Sequence, residues 1–102
     1  MKHSEGKYEP TLVYTSLIKH VARVRRYGIE KHGNSEDWRT TTQVQHYDAA
    51  LRHLLAVIDG EEFDESGMPH LAHCITTLMF ELERNYGGEH ANFIRSKSSS
   101  DH

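Results

Sequence analysis

Two histidines three residues apart follow an acidic turn: Glu61, Glu62, Asp64 and Glu65 lead through Pro69 to His70 and His73. Pro69 is suited to open a helix, because the N–H it lacks has no partner at the first helical position. Residues three apart share a helix face, so His70 and His73 point the same way. Carboxylates beside two imidazoles can hold a divalent metal, and such a site can act on phosphate. The same residues also describe a solvated acidic turn with histidines that cap or pack. Upstream, Arg23 and Arg26 can meet a phosphate with Glu30 near a metal, or they are a solvated face. Asp48 and Arg52 are an i,i+4 pair in which Asp48 orients Arg52 or itself faces a metal. As a plain surface pair they contribute roughly a few tenths of a kcal/mol.

Helices must position these groups. Val13, Leu17, Val21, Val24 and Gly28 recur at steps of three and four, predicting a helix from Thr11 to near Gly33-Asn34. Residues 33–41 read as a loop holding the single tryptophan, Trp38, which folds back on the core or stacks on a base. A second helix is expected from Thr42 to Asp59, with Val44, Tyr47, Leu51, Leu54, Leu55 and Ile58 as its apolar side and Gly60 ending it. A third is expected from Pro69 to about Tyr86. Leu71, Ile75, Leu78, Met79 and Leu82 form its apolar side, and His70, His73, Thr77 and Glu81 a polar stripe. Gly87-Gly88 ends it, and Glu89–Arg95 adds a short fourth helix with Phe93 and Ile94 packing back. Residues 1–10 read as an extended arm and 96–102 as a tail of disordered composition. No strand period, internal repeat or Gly-rich phosphate loop is present. The expected fold is all-α: one domain over 11–95, three longer helices plus a short C-terminal one, in a bundle completed by oligomerisation.

Composition narrows the function. The 102 residues carry a formal charge of −3, which argues against bulk electrostatic binding to nucleic acid but leaves room for a small anion held by local arginines. No apolar run approaches the ~20 residues of a membrane span, and the N-terminus has no apolar signal core. A soluble, cytoplasmic protein is expected. Mean hydropathy is −0.72, polar for a compact monomer, so a partner subunit is expected to cover part of the surface, as a homodimer or higher homo-oligomer. Cys74 is the lone cysteine and reads as a small buried core residue. Nine histidines suit metal binding or a pH-sensitive surface; His53 reads as inward-facing.

The blocks YGIEKHG, DWR, YDAALRHLLAVIDGE and DESGMPHLAH, in this order, resemble small, mostly phage-encoded dATP/dGTP diphosphohydrolases, a family related to the MazG-like all-α pyrophosphohydrolases. The resemblance runs from about Tyr27 to Leu82, and the last block is its most specific part. It implies metal-dependent hydrolysis of a purine (deoxy)nucleoside triphosphate to monophosphate and pyrophosphate. The implied cofactor is Mg²⁺ or Mn²⁺, with Co²⁺ or Zn²⁺ admitted by the histidines. The implied ligand set is drawn from Glu30, Asp48, Asp64, His70 and His73. In the MazG-like pattern Glu30 stands for the last Glu of the first motif, and His70 and His73 stand where Glu-x-x-Asp is expected. Only one first-helix acid is present, and Arg26 occupies the position one turn before it. Lys31, Arg39 and Arg52 are expected on phosphates, and Trp38 or Tyr47 on the base. A phage protein of this kind works in the host cytoplasm. Two rival readings stand beside it: a helical module that sequesters a nucleotide without hydrolysis, as a phage anti-defence protein does, and a regulatory protein whose histidines sense pH. Metal dependence discriminates between them.

Overall fold

The computed structural model describes residues 6–88, so the expected fourth helix and tail lie outside the described residues. Three α-helices follow in order: α1 (Thr15–His32), α2 (Gln43–Ile58) and α3 (His70–Tyr86). No strand is present among the described residues, and the fold is all-α.

The helix ends have local causes. α1 begins four residues later than Thr11, because Pro10–Leu12 form a separate 3₁₀ turn closed by Leu12 N–H to the Glu9 carbonyl and Val13 N–H to the Pro10 carbonyl. It stops at Gly33, whose φ of +78° is the left-handed C-terminal conformation that glycine adopts without a Cβ penalty. α2 starts with a reciprocal capping box. The Gln45 amide donates to Thr42 Oγ1 at 3.2 Å and the Thr42 amide to Gln45 Oε1 at 3.0 Å. Pro69 caps α3 from outside rather than filling its first position, since its ψ of 136° is extended.

α3 is the central element and packs chiefly on α2, then on α1, and also touches a second 3₁₀ turn, Asp37–Thr40. That turn carries Trp38 into the core, stacked on Phe80 with ring centroids 4.8 Å apart and planes 6° from parallel. Arg84 near the end of α3 ties the same turn down, donating to the Trp38 carbonyl at 3.3 Å and the Thr41 carbonyl at 2.5 Å.

The packing inverts the expected faces of α2 and α3. The buried apolar residues are Val24, Trp38, Ala50, Ala72 and Cys74, and with them are buried His46, His70, Thr76 and Glu81. The large apolar side chains point outward instead: Val44 is 65% exposed, Ile58 68% and Leu82 63%. Small residues at Ala50, Ala72 and Cys74 let the helices approach, and the polar groups between them satisfy one another. Thr76 Oγ1 donates to the Ala72 carbonyl and Thr77 Oγ1 to the His73 carbonyl, both at 2.8 Å. No buried polar side-chain atom among the described residues lacks a partner. Cys74 is buried, as expected, and burial pushes its thiol up. No described helix is long and apolar enough to cross a membrane.

Candidate functional site

The acidic segment between α2 and α3 folds as a tight turn. Phe63 pairs with Pro69, the Asp64 amide donates to the Met68 carbonyl at 2.8 Å, and the His70 amide donates to the Glu62 carbonyl at 2.9 Å. Gly67, at φ +86°, closes the turn with its amide on the Asp64 carbonyl. This geometry aims the Asp64 carboxylate at the first turn of α3, and the Ser66 amide fixes it by donating to Oδ2 at 3.0 Å.

Three histidines meet there. His53 comes from α2, and His70 and His73 from α3. The ligating atoms of His53, Asp64 and His70 all lie within 4.8 Å of one another, a spacing that a single metal ion can bridge. Glu61 Oε2 lies 2.7 Å from His70 Nε2. A carboxylate only accepts, so His70 carries its proton on Nε2 and turns a bare Nδ1 inward. His53 Nδ1 lies 2.9 Å from that atom. A carboxylate holding the far nitrogen of a ligating imidazole is the usual support for a metal-binding histidine. His73 stacks on His53 with centroids 4.9 Å apart, and its Nε2 lies 2.9 Å from Ser66 Oγ and 3.4 Å from Asp64 Oδ2.

Burial, helped by the neighbouring His73, lowers the pKa of His53 against the opposing pull of Asp64. Burial likewise lowers that of His73. Burial alone would raise the Asp64 carboxyl, but the Ser66 hydrogen bonds and the charges of His73 and His53 hold it below the usual range. Neutral imidazoles and an ionised carboxylate are the forms that ligate metal. The donor set of two imidazoles and a carboxylate suits Mn²⁺, Co²⁺ or Zn²⁺ more than Mg²⁺.

His53, Asp64 and His73 line a cleft of about 470 Å³, within the size range of small-molecule sites. α1 contributes Arg25, Tyr27, Gly28 and Lys31 to its wall, α2 His46 and His53, and α3 His73, Thr76, Thr77 and Phe80. The Lys31 ammonium sits 5.9 Å from the Tyr27 ring, and Tyr27 meets His73 edge-on at 6.3 Å. The Arg25 guanidinium lies 5.2 Å from the Phe80 ring and donates to the Ser35 carbonyl at 2.9 Å.

The structure brings together Asp64, His70 and His73, with Lys31 and Trp38 on the same cleft. It does not bring the other residues singled out from the sequence to that place. Glu30, Asp48 and Arg52 are exposed and off the cleft. The cause is helical geometry: at about 100° per residue, Glu30 falls on the far side of α1 from Gly28, and Asp48 and Arg52 point away from His46 and His53. Arg39 is spent on Glu36, with its Nε 2.6 Å from Oε1, and lies over Trp38. The Tyr47 hydroxyl accepts from Gln43 at 3.3 Å on the outer face. Arg25 replaces Arg23 and Arg26 as the arginine at the cleft. His46 on the cleft, the contact of Glu61 with His70, and His53 beside Asp64 and His70 were not singled out from the sequence. A signal was present: His46, Ala50 and His53 recur at i, i+4, i+7, a polar and small stripe that matches the one on α3.

Comparison with known proteins agrees with the sequence resemblance. Residues 1–92 match the family described as "dATP/dGTP diphosphohydrolase, N-terminal". A "dATP/dGTP diphosphohydrolase" of Salmonella phage PMBT28 is 32% identical over 81 residues, covering 78% of this chain and 28% of the relative. The chain thus spans little more than a quarter of that relative's length. No solved structure matches. With the match extending across nearly all of its length, the chain belongs to the family described as dATP/dGTP diphosphohydrolase, N-terminal.

Proposed function

We propose that the cleft binds a purine deoxynucleoside triphosphate, and that the chain hydrolyses it to the monophosphate and pyrophosphate with a divalent metal held by His53, Asp64 and His70. The observation that carries this is a metal-spaced His/Asp cluster, two of whose members, His53 and Asp64, line a cleft of small-molecule size. The name of the phage relative supplies the substrate class. Lys31 and Arg25 lie where they neutralise phosphate oxygens, Lys31 as a point charge and Arg25 with its planar fork. When bound, the metal supplies Lewis acidity toward phosphate oxygens and makes a coordinated water more acidic. His73, whose pKa burial lowers, takes the proton from the attacking water on the ring nitrogen that Ser66 and Asp64 leave free, while those two orient the ring through Nε2. The water oxygen bonds to the α-phosphorus, the bond from that phosphorus to the bridging oxygen breaks, and pyrophosphate leaves. Glu61 keeps His70 in the ligating tautomer.

Pairing with a second copy through the outward apolar sides of α2 and α3 belongs to this reading, since five buried apolar residues are a thin core for 83 described positions. A cytoplasmic setting, where nucleotides are found, goes with it.

Product analysis tests the proposal. Incubate the chain with each dNTP and NTP in Mg²⁺, Mn²⁺, Co²⁺ or EDTA, and separate the products by ion exchange. dAMP or dGMP with pyrophosphate is expected, abolished by EDTA and by His70→Ala or His53→Ala. Intact nucleotide under every metal, with nucleotide retained on the protein, would replace hydrolysis by sequestration.

A further inference from the structure

The hydrolysis proposed above makes no use of His46. It lies seven residues before His53 on the same face of α2, about 10 Å along the helix axis. It is 5% exposed, and Glu81, facing it from α3, is 3% exposed. His46 Nδ1 and Glu81 Oε2 are directly hydrogen-bonded. Glu81 is itself held in place: Arg84 Nη2 lies 3.3 Å from Oε2, and Asn85 Nδ2 donates to Oε1 at 3.5 Å and to the Glu81 carbonyl at 2.8 Å. The His46 ring is flanked by Phe80 at 5.5 Å and Trp38 at 6.3 Å.

The other ring nitrogen is the informative atom. His46 Nε2 has no hydrogen-bond partner among the described residues, yet no buried polar side-chain atom there is left without one. It therefore opens to the cleft, whose wall includes His46. A carboxylate on Nδ1 fixes the proton there and leaves Nε2 of the neutral ring as an acceptor. A buried His–Glu pair adds little to stability that an apolar pair of the same shape would not. An acceptor of fixed tautomer aimed into a cleft, beside an aromatic wall and two turns from a metal-spaced cluster, is arranged for recognition.

We infer that His46 Nε2 reads the base, accepting a hydrogen bond from the exocyclic amino group that adenine carries at C6 and guanine at C2, the base turning in the cleft to present it, while the phosphates lie toward His53, Asp64 and His70. Glu81 is a positioning residue that sets the tautomer. This inference rests on the cleft taking a purine nucleotide, as proposed above.

The test uses hypoxanthine, a purine with no exocyclic amino group. Dissociation constants are measured for the α,β-methylene analogues of dATP, dGTP and dITP, which resist cleavage at the α-phosphorus linkage, on the full chain with Mn²⁺. The wild type should bind the dATP and dGTP analogues about tenfold more tightly than the dITP analogue, the worth of one hydrogen bond. The double variant His46→Phe with Glu81→Leu keeps the ring packing, and Arg84, which loses its carboxylate, is partly exposed and keeps the Trp38 and Thr41 carbonyls. It should bind all three alike, at the wild-type dITP level. Equal binding of the three by the wild type, or discrimination surviving in the double variant, overturns the role of His46 while leaving the cleft as the nucleotide site. No binding of any analogue by the wild type overturns both. The wild-type comparison stands without the variant, so a double variant that fails to fold does not shelter the inference.

Discussion

Gly28 lies inside α1, where glycine costs about 1 kcal/mol relative to alanine, and a Cβ built on it meets nothing within 4 Å. No packing neighbour requires the glycine, but it lines the cleft. Gly28→Ala is therefore expected to raise the melting temperature and to weaken nucleotide binding; a variant that gains in both would remove Gly28 from the ligand's path. The histidines give a pH dependence. His53 and His73 titrate below their ordinary 6.5, chiefly because of burial. As pH falls below that value the unfolded chain takes up protons that the folded rings refuse, so stability drops until the folded pKa values are reached. Asp64 acts lower still. It stabilises the fold above 3.8, and that contribution disappears as pH falls through its depressed folded value. Metal-free chain should show a lower urea midpoint at about pH 5.5 than at about pH 7.5, and His53→Asn with His73→Asn should shrink the gap. Legibility at this scale followed distance along the chain. Asp64, His70 and His73 share one turn and one helix start, so their spacing announced them. His53 and His46 meet partners 17 and 35 residues away, which no local spacing records.

At the scale of elements, the start of α1 lies four residues past the expected Thr11. The sequence was clearest about the ends of α2 and the stop of α1, because caps are local chemistry. The Thr42–Gln45 capping box is an example. Thr42→Ala should cost about 1 kcal/mol and lower the melting temperature by roughly 4–8 °C, with no change in metal affinity; an unchanged melting temperature would mean another donor satisfies the helix start. The all-α class followed from the same periodicities. Which face of each helix points inward did not. Apolar periodicity marks the side a helix must cover, and in α2 and α3 that side stays exposed among the described residues. The polar stripe His70, His73, Thr77 and Glu81 was visible, but a stripe of that kind is read as solvated unless a matching stripe faces it. The match lies on α2, where His46 and His53 face Glu81 and His70.

For the whole molecule, the outward apolar sides of α2 and α3 set the expectation for assembly. Leu55 and Leu78 are exposed on neighbouring helices. With the proposed pairing, Leu55→Glu combined with Leu78→Glu should shift sedimentation from dimer to monomer and make unfolding easier; a wild type that sediments as a stable monomer would end this reading. The tie made by Arg84 has a kinetic meaning. One guanidinium in the last turns of α3 holds the carbonyls of Trp38 and Thr41, and the segment it holds walls the cleft. Fraying of that helix end is then what frees the wall. The dwell time of a bound molecule should track the hydrogen-exchange rate of amides near the end of α3, far along the helix from His70 and His73.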